Sequence, residues 1–345
     1  MSDSSTSETC PSVSVVIPAF NMERHIGRCL DSLLRQAGGS VEIIVVDDGS
    51  TDQTAAVASR LAQDHPSLRV IRQSNSGVVA ARERGVAQSS GEWVTFVDAD
   101  DWVDEGFLDV VLRTSLRAET DLIQTGFDYV TEEGVCLETI LPAVSGVHST
   151  STLVFADTAV LLKYITNSIW AKFYRRTLLE EVLDQVGSIR IAHSEDILFA
   201  TAAFLNAREI GFIRSSHYRY LQREGSAIHS FNQQLIPDRL RFLGRLKDIL
   251  SRSSILSEDK KMDLLEAHEN LSVSFVVKNL RLYSPSLQAT NLELQRLRSA
   301  PFYSVWRSCP KKRIQRCLQS ILIHSPRLFY LAARIGGGGC RSNKS

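Results

Sequence analysis

Four near-continuous apolar runs, separated by segments with helical spacing, are the strongest constraint this chain places on its fold. "VSVVI" (13–17), "VEIIVV" (41–46), "LRVI" (68–71) and "WVTFV" (93–97) have the composition of strands buried on both faces. Between the first two, Ile26, Cys29, Leu30, Leu33 and Leu34 recur at the spacing of one helix face. "TDQTAAVASRLAQ" and "GVVAARERGVAQ" fill the next two gaps. A β-α-β-α-β-α-β order with right-handed crossovers predicts a doubly wound, mostly parallel α/β sheet.

Ligands of such sheets bind in the crevice beyond the carboxyl ends of the strands. The residues that follow the four runs are "PAFN" (18–21), "DDGST" (47–51), "QSNSG" (73–77) and "DADD" (98–101). They are expected on one edge, and two of them are rich in aspartate. Asp98, Asp100 and Asp101 crowd the end of a core strand, where ionised carboxylates repel one another and burial makes this worse. A hard divalent cation removes that objection, because it takes oxygen ligands and bridges protein carboxylates to phosphates. A solvated turn capping the next helix is the plainer alternative. In "VVDDGSTDQT", Asp48-Gly49 makes a turn, and Ser50, Thr51 or Asp52 can cap the following helix. Asp47 and Asp48 are then left over at a strand end, where a carboxylate can accept from a base N–H or a ribose hydroxyl.

These blocks together resemble glycosyltransferase family 2. The resemblance is carried by "VSVVIPAFNMERHIGRCLDSLLRQ", "EIIVVDDGSTDQT" and "NSGVVAARERGVAQSSGEWVTFVDADDW", in order and spacing over roughly residues 13–103. A weaker likeness continues through "SIWAKFYRRTLL" (168–179), "SEDILF" (194–199) and "YRYLQREGSAI" (218–228). It implies a nucleotide-binding domain of the GT-A type and an inverting transfer from a nucleoside diphosphate sugar, typically UDP-linked, to a glycan or lipid-linked glycan hydroxyl. Bacterial polysaccharide biosynthesis is the usual setting of such enzymes. By the same resemblance Pro18, Ala19, Phe20 and Asn21 line the nucleotide pocket, with Phe20 against the base. Asp47 and Asp48 contact base and ribose, and Arg82 joins the donor site. Asp98 and Asp100 hold Mg2+ or Mn2+ on the diphosphate, with Asp101 close by. "SEDILF" supplies Asp196 as catalytic base and Glu195 as acceptor ligand or substitute base. Where the family often shows Ala-Arg-Asn, this chain has Ala81-Arg82-Glu83.

Plainer readings stand beside several of these. Ser194 as helix N-cap with two acids in the first turn needs no chemistry. Trp170 and Lys172 either touch acceptor and phosphate or form packing with a solvated rim. His217, Tyr218, Arg219 and Arg223 fall where a loop closes over a diphosphate, and His217 is a metal ligand or a structural histidine. Two other function classes remain. A sugar nucleotidyltransferase would open with a Gly-rich basic loop, and "IPAFNMERHIG" is no such loop. A non-catalytic nucleotide-sugar or polysaccharide-binding module would not need both "DAD" and "SED".

The organisation expected is a disordered leader over 1–11 and a catalytic domain over 12–230, divided at 120 into nucleotide-sugar and acceptor parts. A helical region over 231–335 and a disordered tail over 336–345 follow. The 345 residues carry 43% hydrophobic and 23% charged side chains, as in soluble globular proteins, with no apolar run long enough to span a bilayer. Six scattered cysteines without close pairing, and a polar start, point to a reduced, cytoplasmic chain. The net charge is zero, yet residues 294–345 hold 11 Lys/Arg and no acid, leaving 28 basic against 39 acidic side chains before them. "KKRIQRC" (311–317) precedes Leu318, Ile321, Leu322 and Ile323. This basic, apolar segment within 294–335 is expected to meet an anionic membrane surface; packing on the catalytic domain is the alternative. It matches no nucleic-acid reader, and no nucleic acid is expected as partner.

Overall fold

The computed structural model describes residues 12–113, 120–156, 162, 168–187, 194–223, 234–283, 285–301 and 303. They fall into two compact units: Met1–Arg190 with Glu195–Arg223, and Ile191–Ser194 with Glu224–Ser345. The boundary expected at 230/231 lies outside the described residues, as do the leader and the tail.

In the first unit β1 (Val13–Ala19), α1 (Ile26–Leu34), β2 (Val41–Asp47), α2 (Thr54–Asp64), β3 (Leu68–Arg72), α3 (Val78–Gln88) and β4 (Trp93–Phe96) follow one another as the apolar pattern predicts. The strands pair in parallel in the order β3-β2-β1-β4, so all four carboxyl ends share one edge. Because side chains alternate along a strand, each strand supplies both faces. Val13, Val15, Ile17, Ile43 and Val45 pack with Cys29, Leu30 and Leu33 of α1 and Ala58 of α2. Ile44 and Val46 point the other way and pack with Ala81 of α3. The approach of α3 needs glycine at 85, where a Cβ would stand 2.3 Å from Val16 Cγ1.

After β4 come β5 (Trp102–Val103), α4 (Asp109–Leu112), β6 (Leu122–Val130), β7 (Cys136–Ile140), β8 (Gly146–Ser149), α5 (Thr150–Leu153) and β9 (Lys172–Arg175). Then come α6 (Arg176–Val186), α7 (Glu195–Asn206) and β10 (Glu209–Leu221). They extend the sheet in the order β4-β9-β6-β10-β5, with β7 on β6 and β8 on β10. Here β9 is antiparallel to both neighbours, and β6 and β10 are parallel. Of the residues read as a closing loop, His217, Tyr218 and Arg219 instead belong to β10, with Tyr218 fully buried, and Arg223 lies two residues past the strand's end. After register shifts on either side of Ser216, Tyr218 and Arg219 pair with Phe127 and Asp128 of β6 and, on the other side, with Val103 and Trp102 of β5, which fixes them as sheet.

The second unit is helical, as expected: α8 (Leu235–Arg252), α9 (Glu258–Tyr283) and α10 (Leu287–Ser299). In α8, Ile236, Phe242, Leu243, Leu246, Ile249 and Leu250 are buried at helical spacing. Residues 304–345, which hold most of the basic segment, lie outside the described residues.

Candidate active site

The four strand ends build the site on one edge. At the end of β1, Pro18 and Ala19 are buried in the strand, while Phe20 stands 42% exposed. Asn21 takes a left-handed backbone (φ 54°) and locks the next loop: its N–H donates to Ser50 Oγ and its Oδ1 accepts from Thr51 N.

The Asp47-Asp48 pair is buried. Asp47 accepts from Ser50 N and lies 3.0 Å from Arg72 Nε. Asp48 Oδ1 accepts from Gln73 Nε2 and Ser76 N, and its Oδ2 from Gly77 N, each at 2.8 Å. Gly77 immediately precedes α3, so Asp48 holds the N-terminal end of that helix from another loop. The turn works only with glycine at 49: its φ is +77°, and a Cβ would lie 2.8 Å from Asn75 N. Of the three residues weighed as caps of α2, none holds the N-cap position, which is Gln53, but Asp52 Oδ1 accepts from Thr54 N at the start of the helix.

At the end of β4 the three aspartates divide. Asp101 was expected beside a metal, but both its oxygens are engaged elsewhere: Oδ2 accepts from Tyr218 Oη (2.6 Å) and Oδ1 from Leu221 N (2.9 Å). Burial, then the charges of Asp100 and Asp98, push its carboxyl well above the usual range. Asp98 Oδ1 accepts from Arg82 Nη2 at 3.0 Å, and Asp100 Oδ2 pairs with Arg223 Nη2 at 2.8 Å. Burial and the neighbouring Asp98 raise Asp100, against Arg223. Two carboxylates that repel one another at a crevice edge, each partnered by an arginine, suit a divalent cation completed by phosphate and water oxygens. Among the described residues no group of three His, Cys, Asp or Glu side chains forms a complete cage. His217 is placed by strand pairing, its carbonyl accepting from Asp104 N and its ring against Gly106.

Arg82 connects this edge to the "SED" segment. Its side chain is 6% exposed; Nη2 reaches Asp98, and Nη1 reaches Asp196 Oδ1 at 3.1 Å and Glu195 Oε1 at 3.8 Å. Those carboxylates keep between 17% and 27% of their exposure, so they open toward solvent where the guanidinium does not. Asp196 and Glu195 form the first turn of α7. Burial pushes the Asp196 carboxyl up to about 7; Arg82 opposes this, while Glu195 and Asp98 add to it. A carboxylate tuned to neutral pH is what a general base requires. Ser194 has φ +77°, and its hydroxyl receives Arg239 Nη2.

Two residues weighed as acceptor contacts are buried. Trp170 stacks on Tyr218 (4.7 Å between centroids) and Tyr220 (4.9 Å), edge-on to Phe127. Lys172 is 2% exposed, and its ammonium donates to the carbonyl and hydroxyl of Ser168. Sequence reasoning missed the Arg223–Asp100 pair and the Tyr218 clamp, which joins Asp98 N to Asp101. The apolar-polar alternation of "SSHYRYL" as a strand was the available signal.

A parallel nucleotide-binding half with its carboxylates gathered at strand ends, continued by antiparallel strands, is the GT-A architecture. The fold is similar to that of residues 1–349 of TarS from S. aureus, solved with UDP-GlcNAc: TM-score 0.64 at 23% identity, covering 93% of this chain and 89% of that one. Residues 14–183 match the family described as glycosyl transferase family 2. The putative glycosyltransferase EpsH of Bacillus subtilis is 28% identical over 252 residues, 73% of this chain and 72% of that protein. The uncharacterized glycosyltransferase YibD of Escherichia coli is 28% identical over 273 residues, 75% and 76% of the two chains. This protein is a glycosyltransferase, and it carries a family 2 domain over residues 14–183. Among the described residues no helix is long and apolar enough to cross a membrane.

Proposed function

We propose that the chain moves a sugar, with inversion, from a nucleoside diphosphate sugar to a hydroxyl of a glycan or lipid-linked glycan. The observation that carries this reading is the buried Arg82, which holds Asp98 at 3.0 Å and Asp196 at 3.1 Å. One guanidinium thereby sets a donor-side acid and a candidate base around a common space. Asp196 accepts the proton of the acceptor hydroxyl as that oxygen attacks the anomeric carbon, and Glu195 beside it orients the acceptor. The bond to the diphosphate breaks on the opposite face in one displacement, through an oxocarbenium-like state. Phe20, exposed at the β1 end, offers its ring to the base, and the buried Asp47-Asp48 turn shapes the ribose side. Asp98 and Asp100 would hold Mg2+ or Mn2+, which when bound offsets the charge developing on the diphosphate. Asp101 is left out of that set because Tyr218 and Leu221 take both its oxygens.

A UDP-linked sugar is the first donor to test, because the TarS fragment is named with UDP-GlcNAc. A lipid hydroxyl among the acceptors to test accords with a relative named cholesterol galactosyltransferase in Borreliella burgdorferi, 26% identical over 253 residues. The basic composition of residues 294–335 supports a reaction on the cytoplasmic side, beside an anionic membrane surface that this segment would meet. The experiment is a panel of nucleoside diphosphate sugars with and without Mn2+, reading thermal shift and then transfer. Metal-dependent stabilisation by one donor, followed by glycosylation of an acceptor, is expected. Donor binding without turnover on any glycan or lipid acceptor would favour the binding-module reading, and conversion of the donor with added pyrophosphate to a nucleoside triphosphate and a sugar 1-phosphate would favour nucleotidyl transfer. Sedimentation with anionic vesicles, lost in high salt and on truncation before Pro310, tests the membrane contact. Equal sedimentation of truncated and full-length protein would make the tail structural.

A further inference from the structure

Strand β9 lies between β4 and β6, and its side chains alternate between the two faces of the sheet. Phe173 enters the larger core and meets Phe107 at 5.0 Å. Lys172 and Tyr174 therefore point to the other face, the one covered by α3 and α7. Tyr174 meets Phe199 of α7 edge-on at 5.5 Å, and Phe96 of β4 closes the trio at 5.8 and 6.0 Å. Asp196 lies three residues before Phe199, on the same face of α7. Lys172 lies two residues before Tyr174, on the same face of β9. The lysine thus lies on the sheet face that α7 covers, with no route to a solvent-borne phosphate: it is 2% exposed. Lys172 directly follows Ala171 (φ +57°), and Asp196 comes two residues after Ser194 (φ +77°), both non-glycine residues of positive φ. Such conformations are costly and cluster where side chains must be aimed.

We propose that Lys172 is a positioning residue for the transfer: its buried ammonium, anchored on Ser168, holds Asp196 ionised and oriented from beneath α7. This deepens, and rests on, the reading of Asp196 as the base. The groups that face Asp196 are Arg82 from α3, Asp98 from the end of β4, Glu195 from its own helix, and Lys172 and Tyr174 from β9. Of these only Arg82 and Lys172 favour the carboxylate. Burial lowers Lys172 to about 7, and the Asp196 charge works against that fall. Acid and lysine therefore change charge in the same pH range, each favouring the ionised form of the other. Loss of the lysine raises the pH at which Asp196 becomes a carboxylate, so the acidic limb of activity moves up.

The test compares the pH profile of transfer, at saturating donor, for the full-chain protein, Lys172→Met, Lys172→Arg and Asp196→Asn. Lys172→Met is expected to move the acidic limb up by about one unit, which is roughly tenfold less transfer at pH 6 and recovery by pH 9. Lys172→Arg, which keeps the charge, should restore most of the wild-type profile. A second measurement needs no substitution at 172: protein labelled with 13C at lysine Cε is titrated by NMR with and without Asp196→Asn. The Lys172 signal should titrate below ordinary lysines and fall further in Asp196→Asn. A Lys172→Met profile superimposable on wild type, or a Lys172 titration indifferent to Asp196→Asn, overturns the pairing and leaves a lysine that only braces Ser168. Full transfer by Asp196→Asn overturns the base reading and this proposal with it. Collapse of transfer in Asp196→Asn with an unmoved Lys172→Met profile overturns the lysine's role alone.

Discussion

The ends of β2 and β4 both carry consecutive carboxylates, and although Asp47 at the first also pairs with an arginine, Arg72, its neighbour Asp48 is used in the opposite way to Asp98 and Asp100 at the second. At the β2 end the oxygens of Asp48 face N–H groups of the neighbouring loop, and the carboxylate sets the start of α3. At the β4 end Asp98 and Asp100 face arginine side chains, Arg82 from the preceding helix α3 and Arg223 from beyond β10. Backbone N–H groups cannot leave without unfolding the loop, whereas an arginine can change partner when a cation or a phosphate arrives. The first region builds structure; the second is suited to exchange. Asp101 belongs to the first kind although its sequence neighbours belong to the second.

The largest effect expected from this contrast is on turnover. Asp196→Asn keeps the volume and removes the proton acceptor, so transfer should fall by ~100-fold or more while donor binding scarcely changes. If Asp196→Asn transfers normally and Glu195→Gln does not, the base sits one residue earlier. Next comes Asp100→Ala, expected to remove metal-dependent binding of UDP and hence transfer, with the fold intact. Wild-type, metal-dependent UDP affinity in that variant, followed by calorimetry, would sink the assignment. Asp48→Ala should act the other way round. It strands Ser76 and Gly77 N–H groups at the start of α3, a loss of about 2–3 kcal/mol in chemical denaturation. Its donor affinity should fall mainly because α3, and Arg82 with it, is no longer held. A variant as stable as wild type that nevertheless fails to bind donor would show Asp48 to be a direct ligand contact, and the contrast would break.

How far the sequence foretold these regions follows from the range of the interactions. The four parallel strands and their helices were legible because continuous apolar runs and helical spacing are local patterns, and the order of the loops follows from them. The positions of Phe20, Asp48, Asp98 and Asp196 on one edge came with that order and with the family resemblance. The partners did not. That Asp101 turns to Tyr218, 117 residues away, depends on β10 pairing alongside β5 and β6. "WAKFYRR" suggested a basic rim, but alternation alone cannot tell a buried lysine from an exposed one. Only the antiparallel insertion of β9 between β4 and β6 takes Lys172 out of water. Long-range pairing across 70 to 120 residues is the step that local pattern does not encode.

The smallest effect expected separates the two kinds of carboxylate by stability instead of activity. A group whose folded pKa lies above its unfolded value binds extra protons in the folded state, so its contribution to stability falls as pH rises between the two values. Asp196 is such a group, raised by burial from 3.8 to about 7. Below pH 4 it is protonated in both states, and replacing it with asparagine should change stability little. Between pH 4 and 7 the wild type loses stability that the variant keeps, and above pH 7 the difference is constant. Three units would correspond to about 4 kcal/mol, and partial exposure of the carboxyl reduces this to about 1–2 kcal/mol. Thermal denaturation of wild type and Asp196→Asn at pH 4 and pH 8 measures it. The variant should match the wild type at pH 4 and melt higher at pH 8. An Asp196→Asn protein that melts lower than wild type at pH 8 would mean that Arg82 depends on that carboxylate for its burial. Asp196 would then stand with Asp48, as an acid that holds the fold, and the division between the two strand ends would not extend to the base.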